Sequence, residues 1–211
     1  EPVSGTVFDV KQFGAKGDGQ NNDTLPVQAA IRAAGKEAGG RIHFPSGRYR
    51  IAGSLLYESA GRLDITGCGW SSVLLHEENV PLMVWKPGVS CRGVSVRHLC
   101  ITSCQTDKSP DTAAILCQSG MEQSFFSHLL FNAESASMGS GIVVEKVMDT
   151  STIHQCLLWG VTGTGIQVAE GSEVRIFGGR IIGRDRYADK SIGVHLTGNN
   201  GGVHIVTTDI I

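Results

Sequence analysis

The sequence predicts an all-β fold, a single-stranded right-handed parallel β-helix of about six coils closed at its amino end by one helix. Three observations predict it. A strand-like phrase recurs along the chain, a second phrase keeps step with it, and glycine supplies 28 of 211 residues, near twice the usual ~7%.

The first phrase reads apolar-x-apolar-x-bend-apolar-x-apolar. Its bend residues are Gly67, His98, His128, Gln155, Gly178 and Thr207, in steps of 31, 30, 27, 23 and 29. The second phrase appears as "AAILC" at 113–117, "GIVV" at 141–144, "GIQV" at 165–168 and "GVHL" at 193–196. With Ile115, Ile142, Ile166 and Val194 equivalent, its steps are 27, 24 and 28. Alternation with period two means strand rather than helix, and two phrases in lockstep make each copy a multi-strand unit. One such unit cannot bury its own apolar face, but coils stacked about 4.8 Å apart can. A β-sandwich would join its strands through Asn-Gly or Asp-Gly hairpins, and among these runs only the last two are separated by one, Asn200-Gly201.

The alternation also sorts side chains. Inward positions are Cys68, Val96, Leu99, Ile101, Phe126, Leu129, Phe131, Ile153, Cys156, Leu158, Ile176 and Ile181. Cys68 and Cys156 then read as small core hydrophobes. His98 and His128 fall at the bend, where a left-handed backbone is expected. The six cysteines show no CxxC spacing, which argues against zinc; they are expected to be reduced and mostly buried. Cys100, Leu130 and Leu157 form an outward apolar column that a loop or another subunit would cover.

Residues 1–52 read as an amino-terminal cap and 53–211 as the coils. Asp23 stands where it can N-cap a helix near 24–36 whose Val27, Ala30, Ile31 and Ala34 make one apolar stripe. "RIHF" and "RYRI" are short strands around a "PSG" turn. The chain stops at "VTTDII", inside a strand phrase, so it is expected to continue or to be covered by another chain. Charge is balanced, 18 Lys plus Arg against 20 Asp plus Glu, which argues against a nucleic-acid partner. No apolar run approaches the roughly 20 residues that span a bilayer.

"FDVKQFGAKGDGQNNDT" followed by "GGRIHFPSGRYRI" resembles the amino-terminal signature of the pectate-lyase-like superfamily of right-handed β-helices, and "ITGCGWSSVLL" at 65–75 resembles its first coil. That superfamily includes polygalacturonase-like hydrolases, β-glucanases, polysaccharide lyases and phage tailspikes. Asp18, Gly19, Asp23 and Thr24 are expected to be turn and cap residues. The resemblance implies an extracellular, periplasmic or virion-surface protein that degrades polysaccharide along the side of the helix, by hydrolysis ahead of elimination. No cofactor is expected, except calcium if the chemistry is elimination. The alternative is a non-catalytic or receptor-binding, trimeric, tailspike-like fibre segment. The Asn-x-Asp, Asp-Asp, Gly-His-Gly and Arg-x-Lys motifs that polygalacturonases carry on successive coils are absent from the coils at 53–211, which puts that catalytic machinery in doubt.

Outward positions of the early coils read as poor in carboxylates and cations, whereas the later coils change character. Arg180 and Asp209 fall two positions beyond equivalent bends, so they should project outward from adjacent strands. Arg175 and His204 form a second stacked pair. The loop "GRDRYADK" at 183–190 adds Asp185, Tyr187, Asp189 and Lys190. The expected catalytic residues are Asp209, Asp185 and Arg180, with Arg175, His204, Tyr187 and Asp189 binding substrate and no metal ligands. Glu145, Glu170 and Glu173 are second-choice carboxylates.

Overall fold

The computed structural model describes residues 6–37, 39–58, 62–89, 91–104, 109–132, 137–183 and 191–211. The chain winds as a β-solenoid of three parallel sheets. The first sheet stacks eight strands, among them Val7–Asp9, Gly39–Phe44, Arg62–Gly67, Ser95–Arg97, Phe125–Ser127, Thr152–His154, Val174–Phe177 and Val203–Val206. The second runs from Asp18–Asn22 to Asp209–Ile210, and the third from Leu55–Tyr57 to Ile192–Leu196. The strands within residues 1–52 already belong to the first and second sheets.

The register follows the repeats. Ile115, Ile142, Ile166 and Val194 are mutual neighbours along the third sheet. Backbone φ is positive at His98 (56°), His128 (52°), Gln155 (48°), Gly178 (64°) and Thr207 (52°), so these predicted bends take the left-handed conformation, whereas Gly67 does not. Val96, Leu99, Ile101, Phe126, Leu129, Phe131, Ile153, Cys156, Leu158, Ile176 and Ile181 are all buried. Within this core the Tyr57 ring stacks on Trp85, with centroids 4.2 Å apart.

Cys68 departs from the expectation: it is exposed. Thr66 pairs with Arg97 and Val73 with Cys100, so residues 68–71 are extra at this corner, where Gly69–Ser71 form a short 3-10 turn. Ser72 takes the inward place equivalent to Leu99; its hydroxyl donates to the Phe44 carbonyl and accepts from the Cys68 N–H.

The helix Thr24–Lys36 lies over the amino end, with Val27, Ala30, Ile31 and Ala34 buried. It also satisfies a sheet edge. The Gln28 side chain donates to the Leu56 carbonyl (2.8 Å) and accepts from the Leu56 N–H (2.7 Å), doing for the first strand of the third sheet what a neighbouring strand would do. Pro26 sits in the first turn, where no helical hydrogen bond is lost. Asp23 occupies the N-cap position but its carboxylate does not cap. It is buried and accepts from the backbone N–H groups of Lys16 and Gly17 (2.7 and 3.0 Å), pinning the preceding loop. Asp18 makes the expected turn, accepting from Gln20 and Asn21; these bonds bring its carboxyl down to about 2.

A glycine column explains the start of the second phrase. A Cβ on Gly141 would lie 2.4 Å from the Gly165 carbonyl oxygen, and one on Gly165 2.6 Å from that of Gly193. The coils approach there as closely as bare backbone permits. No helix among the described residues is long and apolar enough to cross a membrane.

Candidate functional site

In the first sheet Ile42, Ile65 and Val96 face the core, so their neighbours in sequence face outward. That alternation places Arg41, Asp64, His43, Thr66 and Arg97 on one patch of three consecutive coils. Arg41 donates its Nε–H to Asp64 Oδ2 (2.7 Å). Arg97 grips the same carboxylate with Nε on Oδ1 (3.0 Å) and an Nη on Oδ2 (2.8 Å). The terminal amino groups of Arg41 and one of Arg97 keep N–H donors with no partner among the described residues. A cleft of about 450 Å³ opens beside them, lined by Val7, Arg41, His43, Thr66 and Arg97. Burial would raise the Asp64 pKa, but the hydrogen bonds and charges of Arg97 and Arg41 outweigh it and hold the carboxyl below its ordinary value. Asp64 is therefore a fixed anion, and the cleft carries a cationic surplus.

Next to Arg97 a line of rings begins and runs along the solenoid axis. His98 stacks on His128 (4.9 Å), His128 meets His154 edge-on (5.4 Å), and His154 stacks on Phe177 (4.3 Å). Stacked rings shield each other's faces, so they offer a ligand chiefly the nitrogens at their edges. Burial first, then the charges of His128 and Arg97, lower the His98 pKa.

The later-coil residues fall where the register puts them. Arg180 and Asp209 are direct neighbours in the second sheet, joined at 3.1 Å, and both are more than half exposed. Arg175 and His204 are neighbours in the first sheet and exposed. They are a continuation of the Arg41 and Asp64 column, several coils away. Asp185, Tyr187, Asp189 and Lys190 lie outside the described residues. Glu145 and Glu170 lie within strands of the third sheet, Ser140–Asp149 and Thr164–Ser172, where Glu145 accepts from Gln118 (3.3 Å); Glu173 stands at a left-handed bend (φ 52°).

The expectation that the early coils are poor in charge fails on the first sheet. It followed the position just after the bend, on the second sheet, where Val73, Cys100, Leu130 and Leu157 stand in one row. The charged cluster lies before the bend. Its signal was present: Arg41, Asp64 and Arg97 each fall one residue from an inward apolar position. Of the expected apolar column, Cys100 and Leu130 are only 5% and 7% exposed in the single chain, and Leu157 is partly buried against them.

Three parallel sheets, left-handed corners and a helix across the amino end define a parallel β-helix, and the comparisons support the resemblance of the amino-terminal signature to the pectate-lyase-like superfamily. More particularly, residues 7–75 match the family model described as rhamnogalacturonase A/epimerase, pectate lyase-like. Over 46 residues, 22% of this chain, the sequence is 56% identical to alginate lyase 7 and 52% identical to mannuronan C5-epimerase AlgE3, both of Azotobacter vinelandii. The match spans only 5% and 2% of those two relatives' lengths. Two solved structures share the fold along nearly the whole chain. One is a candidate glycosyl hydrolase of Parabacteroides merdae (TM-score 0.64, 13% identity, 97% of this chain and 96% of that one). The other is the catalytic unit of a GH87 α-1,3-glucanase of Streptomyces thermodiastaticus (TM-score 0.61, 17% identity, 100% of this chain and 41% of that one).

Proposed function

We propose that the chain binds an acidic polysaccharide along the outward face of its first sheet, as part of an extracellular enzyme that acts on uronate-containing polymers. One observation carries this reading: two arginines share a single carboxylate at the edge of a cleft and keep donors to spare. A guanidinium held in a fixed plane is the group best suited to grip a carboxylate through paired N–H donors. The names of the two curated relatives, which specify alginate and mannuronan, agree with a uronate polymer. Coils stacked about 4.8 Å apart also give an axial face a repeat close to that of an extended sugar chain.

The residues at this cleft suit proton abstraction better than hydrolysis. Hydrolysis needs two carboxyls roughly 5–10 Å apart, one of them protonated. Asp64 is held ionised by two guanidiniums, which unfits it as an acid, and Asp209 lies in an exposed ion pair with Arg180, several coils away. Removing a proton beside a uronate carboxylate needs positive charge to neutralise that carboxylate and a base to take the proton. Arg41 and Arg97 supply the first, and the His43 imidazole lining the same cleft can supply the second. In this reading the two arginines neutralise the uronate carboxylate.

The test is binding of polymannuronate, polygalacturonate and a neutral β-glucan by calorimetry, with product ends assayed both as unsaturated absorbance and as reducing sugar. The uronate polymers should bind and the glucan should not. Arg97→Ala should weaken uronate binding by about ten- to a hundredfold. Equal binding of the neutral polymer, or undiminished binding by the Arg41→Ala, Arg97→Ala double variant, refutes the assignment.

A further inference from the structure

Cys91 and Cys117 are buried on neighbouring coils, 26 residues apart, with their Sγ atoms 3.9 Å from each other. Cys117 ends the strand Ala113–Cys117, and Cys91 opens the short strand Cys91–Arg92. Met121 pairs with Cys91, so the turn that follows Cys117 stands directly over it. The Ser119 carbonyl accepts from the Cys117 thiol at 2.9 Å, and the Val89 carbonyl from that of Cys91 at 3.5 Å. Cys91 also borders a cavity of about 450 Å³ formed with Pro87, Gly88, Gln118, Ser119 and Lys146, which leaves a route for a small reagent.

We propose that Cys91 and Cys117 form a disulfide that staples two successive coils whenever the chain meets a disulfide oxidant such as oxidised glutathione. One of the two thiolates attacks one sulfur of the oxidant; a mixed disulfide forms, the oxidant's S–S bond breaks and one glutathione thiolate leaves. The other cysteine's thiolate then attacks the protein sulfur of the mixed disulfide, forms the internal S–S bond and expels the second glutathione. The two protein thiols lose two electrons and their two protons, and one glutathione disulfide becomes two glutathione thiols. Thiolate is the attacking form; the contact between the two sulfurs favours the Cys117 thiolate and, with burial, pushes the Cys91 thiol up. Bond formation brings the sulfurs from contact at 3.9 Å to the bonding distance of about 2.05 Å.

The experiment refolds the full chain with and without oxidised glutathione, then unfolds and alkylates it for intact mass and tandem peptide mapping. Four of the six cysteines should remain alkylatable in the oxidised sample, with Cys91 linked to Cys117. A closed loop of this size should raise the melting temperature by roughly 5–15 °C, a shift reversed by dithiothreitol. Cys91→Ser and Cys117→Ser should each abolish both the cross-link and the shift, whereas Cys104→Ser should abolish neither. Six alkylatable cysteines after oxidation, or a link joining any other pair, overturns the proposal. The mapping of the unsubstituted chain decides the matter even if a serine variant fails to fold.

Discussion

Replacing Gly165 with alanine tests how rigidly the coils are spaced. The added methyl would lie 2.6 Å from the Gly193 carbonyl oxygen on the next coil and 2.6 Å from Ile181 Cγ2 in the core. A Cβ does not approach other atoms that closely, so something must shift. One obstacle is backbone held in a parallel ladder; the other is a side chain packed in the core. Overpacking of this kind costs about 1–3 kcal/mol, and because neither neighbour can swing away the upper half of that range, about 2–3 kcal/mol, is expected. For a chain of this length each kcal/mol moves the melting temperature by about 2–4 °C, so Gly165→Ala should melt roughly 4–12 °C lower. Gly201→Ala is the control. Nothing lies within 4 Å of its Cβ, and the change should stay within about 0.5 kcal/mol of neutral. Melting followed by circular dichroism distinguishes the two. If Gly165→Ala melts within about 2 °C of the parent, the coils yield to an extra methyl and the steric account of the glycine column is wrong.

Asp64→Asn should destabilise by about 1–2 kcal/mol at neutral pH, a modest figure because both guanidiniums are over a third exposed or close to it. The folded-state pKa of Asp64 is lowered, so its contribution is complete above the ordinary carboxylate value of 3.8 and is lost as pH falls through the folded value. The gap between Asp64→Asn and the parent should therefore close in acid, as a melting series against pH would reveal. His98 also has a lowered pKa, so the unfolded chain takes up the proton first and stability declines as pH drops below 6.5. His98→Asn keeps a residue that tolerates the left-handed backbone and should flatten that part of the profile. Arg180→Ala should leave the melting temperature within about 2 °C of the parent, since an exposed pair contributes about 0–1 kcal/mol. A larger loss would show that the pair holds the last coils together.

The coils were legible because one period-two code serves both burial and register. Once Ile115, Ile142, Ile166 and Val194 are aligned, each inward side chain follows from parity, and the left-handed corners follow from where the phrase breaks. The corner at 67–72 was not legible. "GCGWSS" fits the bend-then-apolar phrase if Cys68 stands for Leu99, and only the pairing of Val73 with Cys100 shows that residues 68–71 are additional. Asp23 illustrates a different ambiguity. Composition gives an N-cap residue at the right position, but two unpaired N–H groups in the preceding loop compete for the same carboxylate and win it. The cap helix was found by its apolar stripe, while the role of Gln28 at a strand edge depends on a neighbour 28 residues away.

The same geometry explains why the charged site escaped sequence reading. A solenoid converts separations of 23 and 33 residues into one coil spacing each, so Arg41, Asp64 and Arg97 meet on one face of the sheet instead of in a motif. Nothing within any one strand announces them. The cluster also contributes too little to stability to be demanded by the fold, since partly exposed ion pairs yield a kilocalorie or so. Its consequence is orientation. Three N–H groups of two guanidiniums are spent on one carboxylate anchored in a core-facing strand, and this fixes the planes in which the remaining donors point. A flexible arginine must give up side-chain freedom when it grips a ligand; these two have lost most of it before the ligand arrives. Asp64→Asn should accordingly weaken uronate binding even though it removes a negative charge from a cationic cleft. Simple charge complementarity predicts the opposite sign, so a single binding isotherm separates a preorganised site from a merely basic surface.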